Sequence, residues 1–332
     1  VPTVPMGIIT TLNAEALRTK VQGSGLIILR EGTLNLLYEE QFGIMTRDLQ
    51  VDAGATLNIN GRPISNQLIL NGGTLANNGE AIGTNKRQTY QLTLKADSIV
   101  TGVSDYYSLQ NGYDVHTINL NGYTLTKRGN CTFGLYNADI VGDGGAIVVE
   151  AGTVNVQSHN DATRTLTDVT FRANGGTMTI SAPVTVNGTV TLEGATCSAN
   201  VTVSANAKIR GTGTIAGTLT LEDGAKVEVY SLTEPLKLTG ASFPSEIKMC
   251  TKEGLTYPNE SVPVLKIDQV TEATRPTVTL ENLPGTRKLE WGSDATLYVV
   301  SNDTLSTETT VKATVFGDAN WSDLVWMDSN GL

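Results

Sequence analysis

The sequence predicts an all-β chain wound as a single-stranded, right-handed parallel β-helix. Three observations predict it: a strand-rich composition, a recurring apolar-x-apolar motif, and Asn-Gly pairs between the copies. Only 17% of the 332 residues are charged, against about 25% in an ordinary domain. The chain holds 47 threonines and 34 glycines, and aromatics are only 5%. Thr and Val favour strands, and Gly with Asn favours tight turns.

The motif is a short apolar-x-apolar strand, followed a few residues later by a polar and another apolar residue. It begins at Leu49-Gln50-Val51 with Thr56-Leu57 and recurs at Leu68-Ile69-Leu70 with Thr74-Leu75. Further copies start at Leu92, Ile118, Ile147, Val169, Val190, Val201 and Leu219. Their second apolar residues stand at 51, 70, 94, 120, 149, 171, 192, 203 and 221. Most gaps fall near the 20–29 residues of known solenoid repeats. The gap of 11 between 192 and 203 reads as half a turn. Alternation with a period of two excludes a helical solenoid, which needs apolar spacings of three and four. Stacked parallel strands remain, about 4.8 Å apart, so nine copies would extend on the order of 40 Å. Right-handedness follows from the general rule for parallel crossovers. Asn60-Gly61, Asn71-Gly72, Asn78-Gly79, Asn111-Gly112, Asn121-Gly122, Asn174-Gly175 and Asn187-Gly188 mark corners where φ must turn positive.

Four regions follow: an N-terminal cap with the first turn over 1–48, the regular solenoid over 49–230, a wider closing region over 231–300, and a tail over 301–332. In the first, Asn13 can N-cap a helix running to Val21, and such a cap would cover the exposed strand edge of the end turn. The boundary near 230 is a composition shift, with six of the ten prolines between Pro235 and Pro284. Proline removes a ladder donor and makes strands irregular. Leu289-Glu290-Trp291 and Thr296-Leu297-Tyr298-Val299-Val300, split by Gly292-Ser293-Asp294, read as a hairpin. In the tail, Asn320-Trp321-Ser322 to Trp326 reads as the opening of a further module.

Composition also bounds function. A net charge of −10 argues against nucleic acid as a partner. It also disfavours polyanionic sugars, unless a local basic patch overrides it. The longest apolar runs, such as Leu26–Leu29, are far too short to span a bilayer. Three widely spaced cysteines, Cys131, Cys197 and Cys250, form no CxxC, so no structural zinc site and no other metal or cofactor is expected. Buried thiols are the expectation for each, with one disulfide possible.

Catalytic chemistry finds little support. The only histidines are His116 and His159, and both read as solvent-exposed loop residues. For paired-carboxylate glycoside chemistry the candidates are Asp139, Asp143, Glu150, Asp161 and Asp168, spread along the chain rather than clustered. Function on a stiff scaffold is expected in its loops. The largest insertions lie between Ile99 and Ile118 and between Leu125 and Ile147. The first carries Tyr106, Tyr107, Tyr113 and Asp114, a candidate contact patch, since tyrosine beside short polar residues binds sugars and proteins through flat amphipathic contacts.

Gly211-Thr212-Gly213-Thr214-Ile215-Ala216-Gly217-Thr218-Leu219-Thr220-Leu221-Glu222-Asp223-Gly224-Ala225 resembles the passenger β-helices of bacterial autotransporters and the autotransporter-associated β-strand repeats. Ile118-Asn119-Leu120-Asn121-Gly122-Tyr123-Thr124-Leu125 is similar to the turns of the pectin-lyase-like superfamily. Leu283-Pro284-Gly285, through Leu289-Glu290-Trp291, to Leu297-Tyr298-Val299-Val300 resembles the closing strands of such passengers. The resemblance covers about residues 49–300. It implies a non-enzymatic extracellular or bacterial cell-surface segment: an adhesin, stalk or fibre piece facing a glycan or protein of a host or neighbouring cell. A polysaccharide-degrading enzyme and a self-associating filament subunit are the alternatives on the same fold.

Overall fold

A computed structural model describes residues 26–36, 48–61, 67–79, 91–103, 106–109, 113–240, 242–268 and 270–302. Within them the chain is all β, and its helical content is two 3-10 turns, His159–Asp161 and Glu272–Thr274. The helix expected over Asn13 to Val21, the corner at Asn111-Gly112 and the module expected at Asn320 lie outside the described residues.

Strands stack into three sheets, each receiving one strand per turn of the coil. The first sheet has ten strands, from Ile27–Leu29 to Leu219–Leu221. The second has twelve, from Gly32–Asn35 to Thr277–Leu280. The third has ten, from Tyr106–Leu109 onward. Among the described residues, all pairings between strands are parallel except at the C-terminal end of the third sheet, and two isolated antiparallel bridges join Asp52 to Gly72 and Arg172 to Gly194. There Thr296–Ser301 lies antiparallel to both Val262–Ile267 and Arg287–Trp291. The hairpin read from the sequence is therefore present.

Register explains the stability of the stack. In the first sheet one inward ladder runs Ile27, Leu49, Leu68, Leu92, Ile118, Ile140, Leu166, Val186, Val203, Leu221. Its members are 17–26 residues apart in sequence, so loops change length while every strand keeps its register. The third sheet carries Leu109, Leu135, Val156, Ile180, Cys197, Ile215, Leu238 and Ile267 in the same way. The alternation of buried and half-exposed residues within each strand puts these side chains into one continuous core. Full burial of each large aliphatic contributes about 1.5–3 kcal/mol.

The spacing anomaly in the sequence has a simple origin. Copies at 51, 70, 94, 120, 203 and 221 belong to the first sheet, but those at 149, 171 and 192 belong to the second. The gaps of 29 and 11 are the steps from one sheet to the other and back. Near residue 230 the first sheet ends, while the second and third continue through Glu246–Thr251 and Val262–Ile267. The proline-rich stretch thus begins where the solenoid loses one face.

Corners follow the expected chemistry. Asn60 and Gly61 have φ of 49° and 76°, and Asn121 and Gly122 have 49° and 81°. Only residues tolerant of the left-handed region fit such consecutive positions. Side-chain amides satisfy the backbone groups released at these bends: Asn58 Oδ1 accepts from the amides of Asn60 and Asn78, and Asn77 Oδ1 from that of Gly61.

The apolar rule is broken at several inward positions, the most buried charged one being Lys127. Lys127 lies between Val100 and Val149 in the second sheet and is fully buried. Its ammonium donates to the carbonyls of Arg128, Gly129 and Ala151 at 2.8, 2.7 and 3.2 Å. Burial pulls its pKa below the ordinary lysine value, an effect partly opposed by the neighbouring Cys131 thiol. Lys127→Met keeps the length and removes three donors at once. It is expected to cost about 1–3 kcal/mol, the usual penalty for stranding buried acceptors, and chemical denaturation would measure it.

Candidate functional site

The corner joining the third sheet to the first, in the turns around residues 113–164, departs most from the regular pattern. The strand Thr132–Tyr136 ends in Tyr136, and Asn137 turns the chain at a φ of 55° into the strand Ala138–Val141. One turn later the strand Thr153–Gln157 ends, and the 3-10 turn His159–Asp161 leads into Arg164–Thr167. Asn160 and Asp161 both sit in the left-handed region, at φ of 50° and 53°, with no glycine to ease them. Asn and Asp enter this region at lower cost than other non-glycine residues, and left-handed conformations of non-glycine residues cluster at functional sites.

The outer layer of this corner is aromatic. The Tyr113 ring lies 4.2 Å from the His159 ring, tilted by 36°. Tyr136 Oη is 3.2 Å from His159 Nδ1, so phenol and imidazole share a hydrogen bond. Partial burial, with Tyr113 close by, pushes the Tyr136 phenol above its ordinary pKa. The Asn137 side chain holds the group together: its Nδ2 donates to the Tyr113 carbonyl at 3.0 Å, and its Oδ1 accepts the His159 amide. Tyr113 is nevertheless 63% exposed and Val115 52%. With Val103 and Tyr123 they are the exposed large apolar residues among those described.

The inner layer is polar and buried. His116 opens the strand His116–Asn119 and points into the core, 4% exposed. Arg164 opens its strand two turns on and is 7% exposed. Among the described residues neither His116 ring nitrogen has a hydrogen-bond partner, nor does Arg164 Nη1 or Ser158 Oγ. Arg164 Nη1 lies 3.9 Å from Asp139 Oδ1, which already accepts the Thr165 amide. Burial, followed by the Arg164 charge, lowers the His116 pKa from 6.5 to about 4.

Of the predicted contact residues, Tyr113 and Asp114 stand exposed at this corner. Tyr106 and Tyr107 lie on the first strand of the third sheet, in register with Thr132 and Phe133, and their side chains lie outside the described residues. The expectation of solvent-exposed histidines is corrected. His116 is a core residue because it continues the alternation of Ile118 and Leu120. His159 is half-buried, between the two tyrosines. The same parity reading, carried back two residues from Ile118, would have found His116. Parity with Leu166 marks Arg164 as inward in the same way, but nothing in the sequence marks Tyr136, whose role arises from neighbours one turn away.

The candidate carboxylates are mostly held as corner fixtures. Asp139 and Asp168 cap the amides of Thr165 and Thr189, and Glu150 pairs with Arg128 at 2.7 Å. Asp161 is exposed. Asp143 and Asp168 line one shallow cleft of about 200 Å³ with Arg210 and Thr191. All three cysteines are free and buried, and burial raises the Cys197 thiol to about 12. Among the described residues no three His, Cys, Asp or Glu side chains gather as metal ligands, and no helix is long and apolar enough to cross a membrane.

Sequence reading missed a charged network on the outer face of the second sheet. Glu193 pairs with Arg172 and accepts the Tyr230 hydroxyl at 2.6 Å. Glu228 pairs with Arg210 and with Lys208 at 3.0 Å. Lys252 and Arg210 lie 4.3 and 5.3 Å from the Tyr230 ring centre. Burial favours the neutral Glu228 carboxyl, but hydrogen bonds from Arg210 and Lys208 outweigh it and hold the pKa below the usual range. These acids are charged and saturated with partners, which suits cross-strand bracing and not proton transfer. Comparison with known protein families, with curated proteins and with solved structures returns no match.

Proposed function

We propose that the chain is a non-enzymatic segment of an extracellular or bacterial cell-surface protein, a stiff spacer that presents the Tyr113 corner to a glycan or protein on a host or neighbouring cell. The observation that carries this reading is the exposed Tyr113, held by ring contact with His159 and flanked by exposed Val115, on an otherwise regular β-solenoid. A preorganised aromatic on a rigid base binds with little entropy to lose. The sequence resemblance to autotransporter passengers and pectin-lyase-like turns supports placing it among surface-displayed β-helices.

A second reading, a polysaccharide-acting enzyme, draws on the Asp143–Asp168 cleft. It is disfavoured by the commitment of Asp168 Oδ1 to the Thr189 amide at 2.7 Å. Filament assembly through the C-terminal end is disfavoured by the antiparallel strand there, whose Lys288 and Glu290 are of the kind that blunt a sheet edge.

The test is binding of the purified chain to intact cells and immobilised glycans. Tyr113→Ala is expected to weaken binding by about tenfold or more, as for an interface anchor, while the far-ultraviolet β spectrum stays unchanged. Equal binding by the variant would remove the corner from the reading. Release of new reducing ends from any polysaccharide, lost in Asp143→Asn, would replace the spacer reading by the enzymatic one.

A further inference from the structure

We infer that the inner layer of the same corner is a binding site for a small monovalent anion of chloride type, held between Arg164 and His116.

Strand register brings the two residues onto one ladder. His116 pairs with Ala138. Carried back two residues from the Ile140–Leu166 pair, the register sets Ala138 against Arg164. His116, Ala138 and Arg164 are thus consecutive inward positions of one ladder, followed by Val184, Val201 and Leu219. Consecutive strands are about 4.8 Å apart, so the two polar residues are separated by about 10 Å of backbone. Between them stands only the methyl group of Ala138. Elsewhere in this sheet, Leu, Ile or Val fills the equivalent inward positions. The small residue leaves side-chain space flanked by an imidazole and a guanidinium.

The charge balance then selects the ligand. Arg164 Nε donates to the Ala162 carbonyl at 3.3 Å, a neutral partner. Its nearest carboxylate oxygen is 3.9 Å from Nη1, beyond hydrogen-bond length, and already accepts an amide. A buried guanidinium so weakly compensated is costly. An anion beside Nη1 would supply the missing charge. The neutral His116 ring offers it one N–H, a further donor that has no partner among the described residues. A cation is excluded by Arg164 itself. A halide is favoured over a larger oxyanion because it needs donors in no fixed geometry.

The experiment is thermal unfolding of the full chain at constant ionic strength, with chloride or bromide replacing gluconate. The midpoint is expected to rise with the logarithm of halide concentration, as mass action requires for a ligand of the folded state. The rise is expected already at pH 7, where the ring is neutral, and to steepen only as the pH approaches about 4, where a protonated His116 donates from both nitrogens. Ala138→Leu fills the space and should abolish the halide dependence while retaining the β spectrum. Should that variant misfold, crystals grown in bromide provide the second readout, with an anomalous peak expected beside the Arg164 guanidinium. Absence of that peak, or an equal halide dependence in Ala138→Leu and the unaltered chain, overturns the inference and leaves water as the occupant.

Discussion

Gly211→Ala is expected to lower the unfolding free energy by at least about 3 kcal/mol, by combining backbone strain with a clash. Gly211 sits at a φ of 130°, where L-residues are rarely found, and a Cβ there would lie 2.0 Å from the Leu192 carbonyl oxygen. That oxygen belongs to the strand directly paired with Gly211 in the second sheet, so it cannot move without displacing the turn below. Leu192 in turn stacks on Phe171, which is fully buried. The clash therefore propagates into the packed ladder and not into solvent. Gly254→Ala separates the two contributions. Its φ is 79°, with nothing within 4 Å of the added carbon, so it should cost only the left-handed penalty of about 1–2 kcal/mol. Denaturant unfolding of both variants checks the difference. Equal midpoint shifts would show that adjacent turns are not packed as closely as the register requires. Because a solenoid couples chiefly to its nearest neighbours, the Gly211 variant should also broaden the transition, the turns beyond residue 211 loosening first.

Those tight turns explain what could be read from the sequence. The solenoid was legible because one physical constraint repeats: each strand must present aliphatic side chains inward at a period of two. The turn length near 20 residues and the Asn-Gly corners follow from the same constraint, as does the hairpin at Leu289–Val300. What could not be read is which of three faces a given strand serves, since all three faces obey the same alternation. Copies at 120 and 149 look alike in sequence and lie in different sheets. The candidate site was half legible. Tyr113 and Asp114 were found because they fall in a long, tyrosine-bearing insertion. His116 was misplaced because the polar residues before it masked its phase with Ile118. Tyr136 and Arg164 are separated from Tyr113 by 23 and 51 residues. They reach the corner only because the loops between the strands let the turns return in register. Lys127 shows the same limit: its sequence neighbours Thr126 and Arg128 suggest a solvated strand end, yet its strand parity buries it.

His116 gives the second large effect, a loss of about 3 kcal/mol of stability on acidification. Its pKa falls from 6.5 to about 4 in the folded chain, through burial first and the Arg164 charge second. The unfolded chain therefore takes up a proton near 6.5, while the folded chain resists until near 4. Stability from this residue is complete above about pH 6.5, declines as pH drops through the interval, and levels off below about 4. A shift of this size corresponds to about 3 kcal/mol at about 1.4 kcal/mol per unit. Glu193 and Glu228, whose carboxyls are held below their ordinary range by arginine, lysine and tyrosine hydrogen bonds, lose their contribution only below about pH 4.5. The window from 6.5 to 4.5 thus isolates the histidine. His116→Leu should flatten the stability profile across that window. It should also leave stability at pH 7 equal or higher, since two unpartnered ring nitrogens are replaced by apolar volume at an inward position beside Ala138. His159→Gln is the control and should keep the slope. Urea unfolding at half-unit pH steps in gluconate buffer provides the measurement. A slope that survives His116→Leu would place the acid-sensitive group elsewhere and would mean that the imidazole finds a partner in the folded chain.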